Sequence, residues 1–308
     1  MPATLDGKLV VAISSRALFD LSASHHIFEQ GGLEEYRHYQ IAHENDPLQP
    51  GTAFPLIRRL LDLRYPDSGE AVAEVILFSK NDVDTGLRVL NSIEHYALPV
   101  TRAVFTRGTS PFPYLNPFQV DLFLSADHED VRAALNKGHA SAMIFTDLSP
   151  TPLLPLAEIR IAFDGDAVLF SDEAEQVYQT EGLSAFQEHE RSKAHLPLAP
   201  GPFKPFLSVV HRIQSIYAQM QQRPPIRTSL VTARSAPAHK RVIHTLRHWG
   251  ITIDEAFFLG GLPKAPVLAE WQPHIFFDDQ RTHCEPAAQV VPTAQVLSGI
   301  TNAAQQPI

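Results

Sequence analysis

One cysteine, Cys284, and two tryptophans occur in 308 residues. A lone thiol excludes an intramolecular disulfide and suits a reducing compartment. Cys284 itself reads as incidental. No stretch approaches the roughly 18 consecutive apolar residues of a membrane span, so no membrane partner is expected. Residues 1–8 lack the shape of a signal peptide, and a cytoplasmic location is expected. Basic residues are scarce: 25 Lys and Arg stand against 34 Asp and Glu, a formal charge of −9. That balance argues against a nucleic-acid polymer as partner, though not against a locally positive pocket. The length suits one large or two ordinary domains.

Strands and helices alternate along what is there. The pattern predicts strands over 8–13, 74–79, 104–106 and 120–125, with helices near 54–63 and 84–96. Such alternation predicts βα units, hence an α/β fold with a mostly parallel sheet and helices on both faces.

The chain also repeats itself. Shifted by 150 positions, Ala17 falls on Ala167, Gly32-Leu33 on Gly182-Leu183, Pro47-Leu48 on Pro197-Leu198, and Pro50-Gly51 on Pro200-Gly201. At a shift of 153, Leu77 meets Leu230, Arg88-Val89 meets Arg241-Val242, and Gly108 meets Gly261. Prolines and glycines fix backbone geometry, so their agreement at one shift points to two copies of one unit. We expect residues 1–150 to form a degenerate copy and 151–308 a catalytic copy, with a cap segment at about 171–226. The copies differ where chemistry would sit. Asp164 faces Ser14 in the alignment, Asp166 faces Arg16, Lys264 faces Pro111, Asp278 faces Ser125 and Asp279 faces Ala126, while Thr232 keeps a hydroxyl partner in Ser79.

Ile161-Ala162-Phe163-Asp164-Gly165-Asp166 is an apolar run that ends in two aspartates. Thr232 follows Leu230-Val231, Lys264 lies in a Gly/Pro-rich stretch, and Asp278-Asp279 follow Ile275-Phe276-Phe277. If these strands are parallel neighbours, the polar groups gather at one sheet edge. Phosphoryl transfer is the chemistry such a set can perform. Phosphate and an attacking carboxylate repel, so a dication such as Mg²⁺ is expected between them, held by few carboxylates. Asp164 can attack phosphorus. Thr232, Lys264 and the backbone N–H groups near Ala233 can hold phosphate oxygens, and Asp166 can act as acid and base.

These residues resemble motifs one to four of the haloacid-dehalogenase (HAD) phosphatase superfamily. More narrowly, residues 161–173, Leu230-Val231-Thr232-Ala233-Arg234-Ser235 and 274–280 are similar to the type I cytosolic 5′-nucleotidases, as are 12–20 and 91–96 of the first half. The resemblance implies HAD-like Rossmannoid units and Mg²⁺-dependent hydrolysis of nucleoside 5′-monophosphates, AMP-like ones first. It makes Asp164 the nucleophile and Asp166 the acid–base residue, with Asp164, Asp166, Asp278 and Asp279 around the metal. One departure is Ala265 after Lys264, where the family pattern has glycine.

Other readings stay open on residues alone: a phosphatase for another small phosphomonoester, or a nucleotide-sensing protein with little turnover. Arg234 and Ser235 are candidate substrate contacts because they share a loop with Thr232. Phe186, His189 and Phe203 are candidates to stack on a base. In the first copy, Ser14, Ser15, Arg16, Ser79, Lys80 and Asn81 are candidates for a metal-free anion or effector site. A homo-oligomer is expected.

Overall fold

Residues 4–146 and 158–303 are described by the structure, a computed structural model. The chain divides into two units, Met1–His139 with Met143–Ser149, and Ala140–Ala142 with Pro150–Ile308. The domain boundary expected at 150/151 lies outside the described residues.

In the first unit the strands of the parallel sheet are Leu9–Ser14 (β1), Ala73–Ser79 (β2), Arg102–Phe105 (β3) and Leu122–Ser125 (β4), beside a short antiparallel pair of Phe19–Asp20 and Gln49–Pro50, and the division between units falls within Ser141–Ile144 (β5). The first four pair in parallel in the order β3-β2-β1-β4. β1 and β2 are near-continuous apolar runs because both faces of a parallel sheet are covered by helices. The helices are Ser22–Ala42 (α1), Phe54–Asp62 (α2), Leu87–His95 (α3) and His128–Leu135 (α4). The α3 helix begins three residues later than its pattern predicts, because the Asp82 carboxylate accepts from the Thr85 N–H at 2.8 Å and holds 82–85 as a turn.

The second unit holds Ile159–Phe163 (β6), Ile226–Thr232 (β7), Glu255–Phe258 (β8), Ile275–Asp278 (β9) and Thr293–Gln295 (β10). Their order is β8-β7-β6-β9-β10, all parallel. The sequence reading gave no range for β8, which it implied before Lys264, and named neither β5 nor β10, which are four and three residues long. The helices are Glu173–Ser192 (α5), Lys204–Gln219 (α6), His239–Trp249 (α7), Ala265–Trp271 (α8), Arg281–Ala288 (α9) and Ile300–Ala303 (α10). Both units are thus α/β with parallel strands flanked by helices, consistent with a Rossmann-like HAD fold.

The repeated residues occupy matching places. Gly32 breaks α1 at φ +75° and Gly182 breaks α5 at φ +83°, a backbone that a side chain would strain. Arg88 Nε donates to the Asp46 carbonyl at 3.0 Å, and Arg241 Nε donates to the Leu196 carbonyl at the same distance. The Leu48 N–H donates to the Ser92 hydroxyl, and the Leu198 N–H to the Thr245 hydroxyl.

Phe203 and Phe206 pack their rings against Phe163 and Phe277, and all four are fully buried. Helix α6, within the segment expected to cap the site, therefore turns one face to the core of its unit. Phe203 is a core residue with no surface left for a base.

Candidate active site at the carboxyl edge of the second sheet

In the 3-2-1-4-5 order of the second unit, β6 lies between β7 and β9, with Phe163 opposite Leu230 on one side and Phe277 on the other. Parallel direction and register place Asp164, Thr232 and Asp278 at the same end of three adjacent strands, where open α/β sheets bind ligands. The Asp164 N–H donates to the Phe277 carbonyl at 2.8 Å. Gly165 lies against Thr232, since a Cβ there would stand 3.4 Å from its hydroxyl oxygen.

Lys264 arrives at the start of α8. Its ammonium sits 2.7 Å from Asp164 Oδ1 and 2.6 Å from Asp278 Oδ2. All three are buried. Their charges answer one another. Burial, reinforced by Asp278 and Asp166 and opposed by Lys264, lifts the Asp164 carboxyl from its ordinary 3.8 to about 7. Burial also pushes the Asp278 carboxyl up, but Lys264 and His283 outweigh it and hold it below its ordinary range. The Lys264 ammonium is held above its ordinary range because its two carboxylates outweigh the cost of burial. Burial and repulsion from Asp278 and Asp164 push the Asp279 carboxyl well up. Its Oδ2 accepts from Thr301 at 2.8 Å, and its Oδ1 is buried without a partner.

Asp166 takes a different partner. Arg234 grips its carboxylate with two hydrogen bonds, 2.8 and 2.6 Å long, the bidentate geometry that fixes a carboxylate's direction. Arg234 also donates to Glu190, whose other oxygen accepts from Arg241 at 2.8 Å. Glu173, the next carboxylate along, receives Arg241, Lys193 and His189. Arg234 is therefore committed to Asp166 and Glu190 and, among the candidate substrate contacts, is buried, whereas Ala233 and Ser235 on the same loop are exposed. Phe186 lies 5.7 Å from the Arg234 guanidinium, and His189 is engaged by Glu173.

The turn between β6 and α5 is closed from elsewhere. Ala167 stands at φ +57°. Ser298 donates to its carbonyl, and Gly299 packs so close that a Cβ would meet Ala167 Cβ at 2.7 Å. The Ile300 N–H donates to Asp172, and Asn302 donates to the Asp279 carbonyl. The segment 298–302 thus touches both acidic loops.

Sequence reasoning named Asp164, Asp166, Thr232, Lys264, Asp278 and Asp279. It missed His283, Glu190, Arg241 and the 298–302 segment. The repeat held one signal: Arg241 and Arg88 align, and Glu190 falls on Gln40, which itself accepts from Arg88 at 3.3 Å.

The charge pattern carries a pH prediction. Asp164 binds its proton more tightly folded than unfolded, so as pH rises the unfolded chain ionises first. Asp164 therefore withdraws stability progressively between pH 4 and about 7. Asp279 acts with the same sign, and the contribution of Asp278 is already complete above its ordinary value. Thermal melts in EDTA should fall from pH 5 to pH 8, and Asp164→Asn should flatten that fall. A wild-type melting temperature that rises over this range would contradict the assignment.

Comparison with known proteins gives two findings and a third that carries nothing. The family model described as 5′-nucleotidase matches residues 1–303. Human cytosolic 5′-nucleotidase 1B is 42% identical over 292 residues, 92% of this chain and 47% of its own length. The chain thus spans about half the length of that curated relative. A chain in the structure of a Pnkp1/Rnl/Hen1 complex aligns over 94% of this chain and 96% of its own, at 12% identity and a TM-score of 0.33, too remote to bear on the fold.

Proposed function

Because the chain belongs to the 5′-nucleotidase family, we propose that its second unit hydrolyses nucleoside 5′-monophosphates to nucleoside and phosphate through a phosphorylated Asp164. The convergence of Asp164, Asp278 and Lys264 within hydrogen-bond distance carries this reading. Identity with the human relative supports the substrate class.

The donor set fits a hard dication. Oxygens of Asp164 and Asp278 and a ring nitrogen of His283 lie within 4.8 Å of one another, and the Asp279 Oδ1 atom has no partner. Carboxylate oxygens suit Mg²⁺, so Asp164 and Asp278, with the Asp166 carbonyl and Asp279 nearby, would hold it. When bound, Mg²⁺ would neutralise the phosphate oxygens and the nucleophile together.

The side chains divide the remaining work. Asp164 attacks phosphorus, forming a bond to it as the bond between phosphorus and the nucleoside's 5′ oxygen breaks. Asp166, in its protonated form, gives its proton to the departing oxygen. A water then attacks the phosphorylated Asp164, Asp166 accepts that water's proton, and phosphate leaves. Arg234 orients Asp166, while Thr232 and Lys264 hold phosphate oxygens. The matching strand order and contacts of the two units support a degenerate first copy and a catalytic second one.

Phosphate release across nucleoside monophosphates and sugar phosphates tests the substrate class. AMP-like substrates should be fastest, EDTA should abolish turnover and Mg²⁺ should restore it. Turnover that survives EDTA undiminished would remove the metal, and a preference for sugar phosphates would remove the nucleotide.

A further inference from the structure

A cavity of about 370 Å³ opens in the first unit, at the carboxyl ends of β1, β2 and β4. That size is within the range of small-molecule sites. It occupies the place in its own unit that the acidic cluster occupies in the second, but its chemistry is inverted. Ser14, Ser79 and Ser125 stand where Asp164, Thr232 and Asp278 stand, and Arg16 stands for Asp166. Ser14 and Ser125 line the cavity, Ser79 is turned to Ser15 and the Asn81 N–H, and none of the three is a nucleophilic carboxylate.

The acids of this cavity all have partners, though those of Asp82 are neutral. Asp82 accepts from the Thr85 N–H and hydroxyl, Asp127 caps α4, and Lys80 pairs with Asp127 and Asp130 at 2.9 and 3.1 Å. The guanidiniums of Arg16 and Arg107 line the cavity and form no hydrogen bond or ion pair among the described residues. Both guanidiniums therefore keep their hydrogen-bond donors unused, although the Asp82 carboxylate lies close enough to Arg107 for that charge to help hold it below its ordinary range. The Ser14 Oγ accepts from the N–H groups of Ala17 and Ala126, which leaves its own proton to donate.

Another part of the lining is apolar. Phe28, Leu33 and Tyr36 of α1 form it, with Phe28 45% and Leu33 62% exposed. Phe28 and Tyr36 meet edge to face at 6.0 Å, and the Tyr36 hydroxyl donates to Asn81 at 3.0 Å, which ties this wall to the β2 loop. A ligand that satisfies both walls is an anion at one end and a flat apolar body at the other.

We propose that this cavity binds a small phosphate ester with a planar apolar body, of the nucleoside monophosphate class, without a metal and without hydrolysing it. Arg16 and Arg107 hold the phosphate through charge-assisted hydrogen bonds, and Phe28 and Tyr36 cover the ring. Isothermal titration of the full chain in EDTA with AMP, adenosine and inorganic phosphate tests this. AMP should bind with one equivalent in EDTA, and Arg16→Ala should weaken it about tenfold or more, the loss expected for a charged hydrogen bond. Phe28→Ala, at a half-exposed position, should weaken AMP and adenosine while leaving inorganic phosphate unchanged. Melting temperatures equal to wild type establish that both variants fold. Absence of AMP binding in EDTA, or wild-type affinity in both variants, would overturn the proposal. The readout is separate from phosphate release, so hydrolysis by the second unit can fail while this binding stands, and the reverse.

Discussion

Asp164→Asn is expected to abolish phosphate release, by on the order of a thousandfold or more, while the protein keeps its fold. Asparagine has the shape of aspartate but no anionic oxygen with which to bond phosphorus. In EDTA at pH 8 the same variant should melt at a higher temperature than wild type. Asp164 is buried beside Asp278 and close enough to Asp166 to feel its charge, and one lysine serves both Asp164 and Asp278. Deleting one of these negative charges relieves repulsion that only the working enzyme needs. Loss of activity together with a gain in metal-free stability is a signature that a merely structural aspartate would not give. Full activity in Asp164→Asn would eliminate the proposed mechanism.

Glu190→Ala is expected to be strongly destabilising to the second unit. The Glu190 side chain has no solvent exposure, and the guanidiniums it holds, Arg234 and Arg241, are each 2% exposed. Removing it leaves a void beside two buried guanidiniums, each left with one carboxylate, Asp166 for Arg234 and Glu173 for Arg241. Breaking a buried pair in this way costs about 3–5 kcal/mol. For a unit of this size that lowers the melting temperature by on the order of 10 °C. Turnover should fall as well, because Arg234 loses the anchor from which it orients Asp166. Glu190→Gln keeps the shape and should cost less. The first unit shows why it is tolerable there: Gln40 faces one arginine, Arg88, since Asn81 replaces Arg234. A Glu190→Ala protein that melts within a few degrees of wild type would show the network to be dispensable.

The acidic residues of the site were legible because each ends an apolar strand, where a polar side chain at a sheet edge stands out against its neighbours. Asp164, Thr232 and Asp278 needed only the further inference that their strands are parallel and adjacent, which the βα alternation supplied. Glu190 carried no such contrast. It lies in Gln187-Glu188-His189-Glu190-Arg191, a stretch that resembles any solvated helix face, and only packing distinguishes it from exposed Glu188. Arg234 was visible beside Thr232, but its direction was not: a guanidinium after a phosphate-binding threonine suggests a ligand contact, while the structure turns it toward Asp166. His283 was hidden because it approaches Asp278 from one turn into α9, to 3.4 Å, a proximity that depends on how the helix leaves the strand.

The clasp made by Ser298, Gly299, Ile300, Thr301 and Asn302 on the loops of Ala167 and Asp279 has a temporal meaning. Ser298 reaches back across 131 residues to the turn that follows the nucleophile. During synthesis, Asp164 emerges long before the segment that seats its loop. A nascent polypeptide halted before Ser298 already carries Asp164, Thr232 and Lys264, yet the turn behind Asp164 is still unfastened. The contacts that seat this loop can therefore form only once Ser298 and its neighbours have been made.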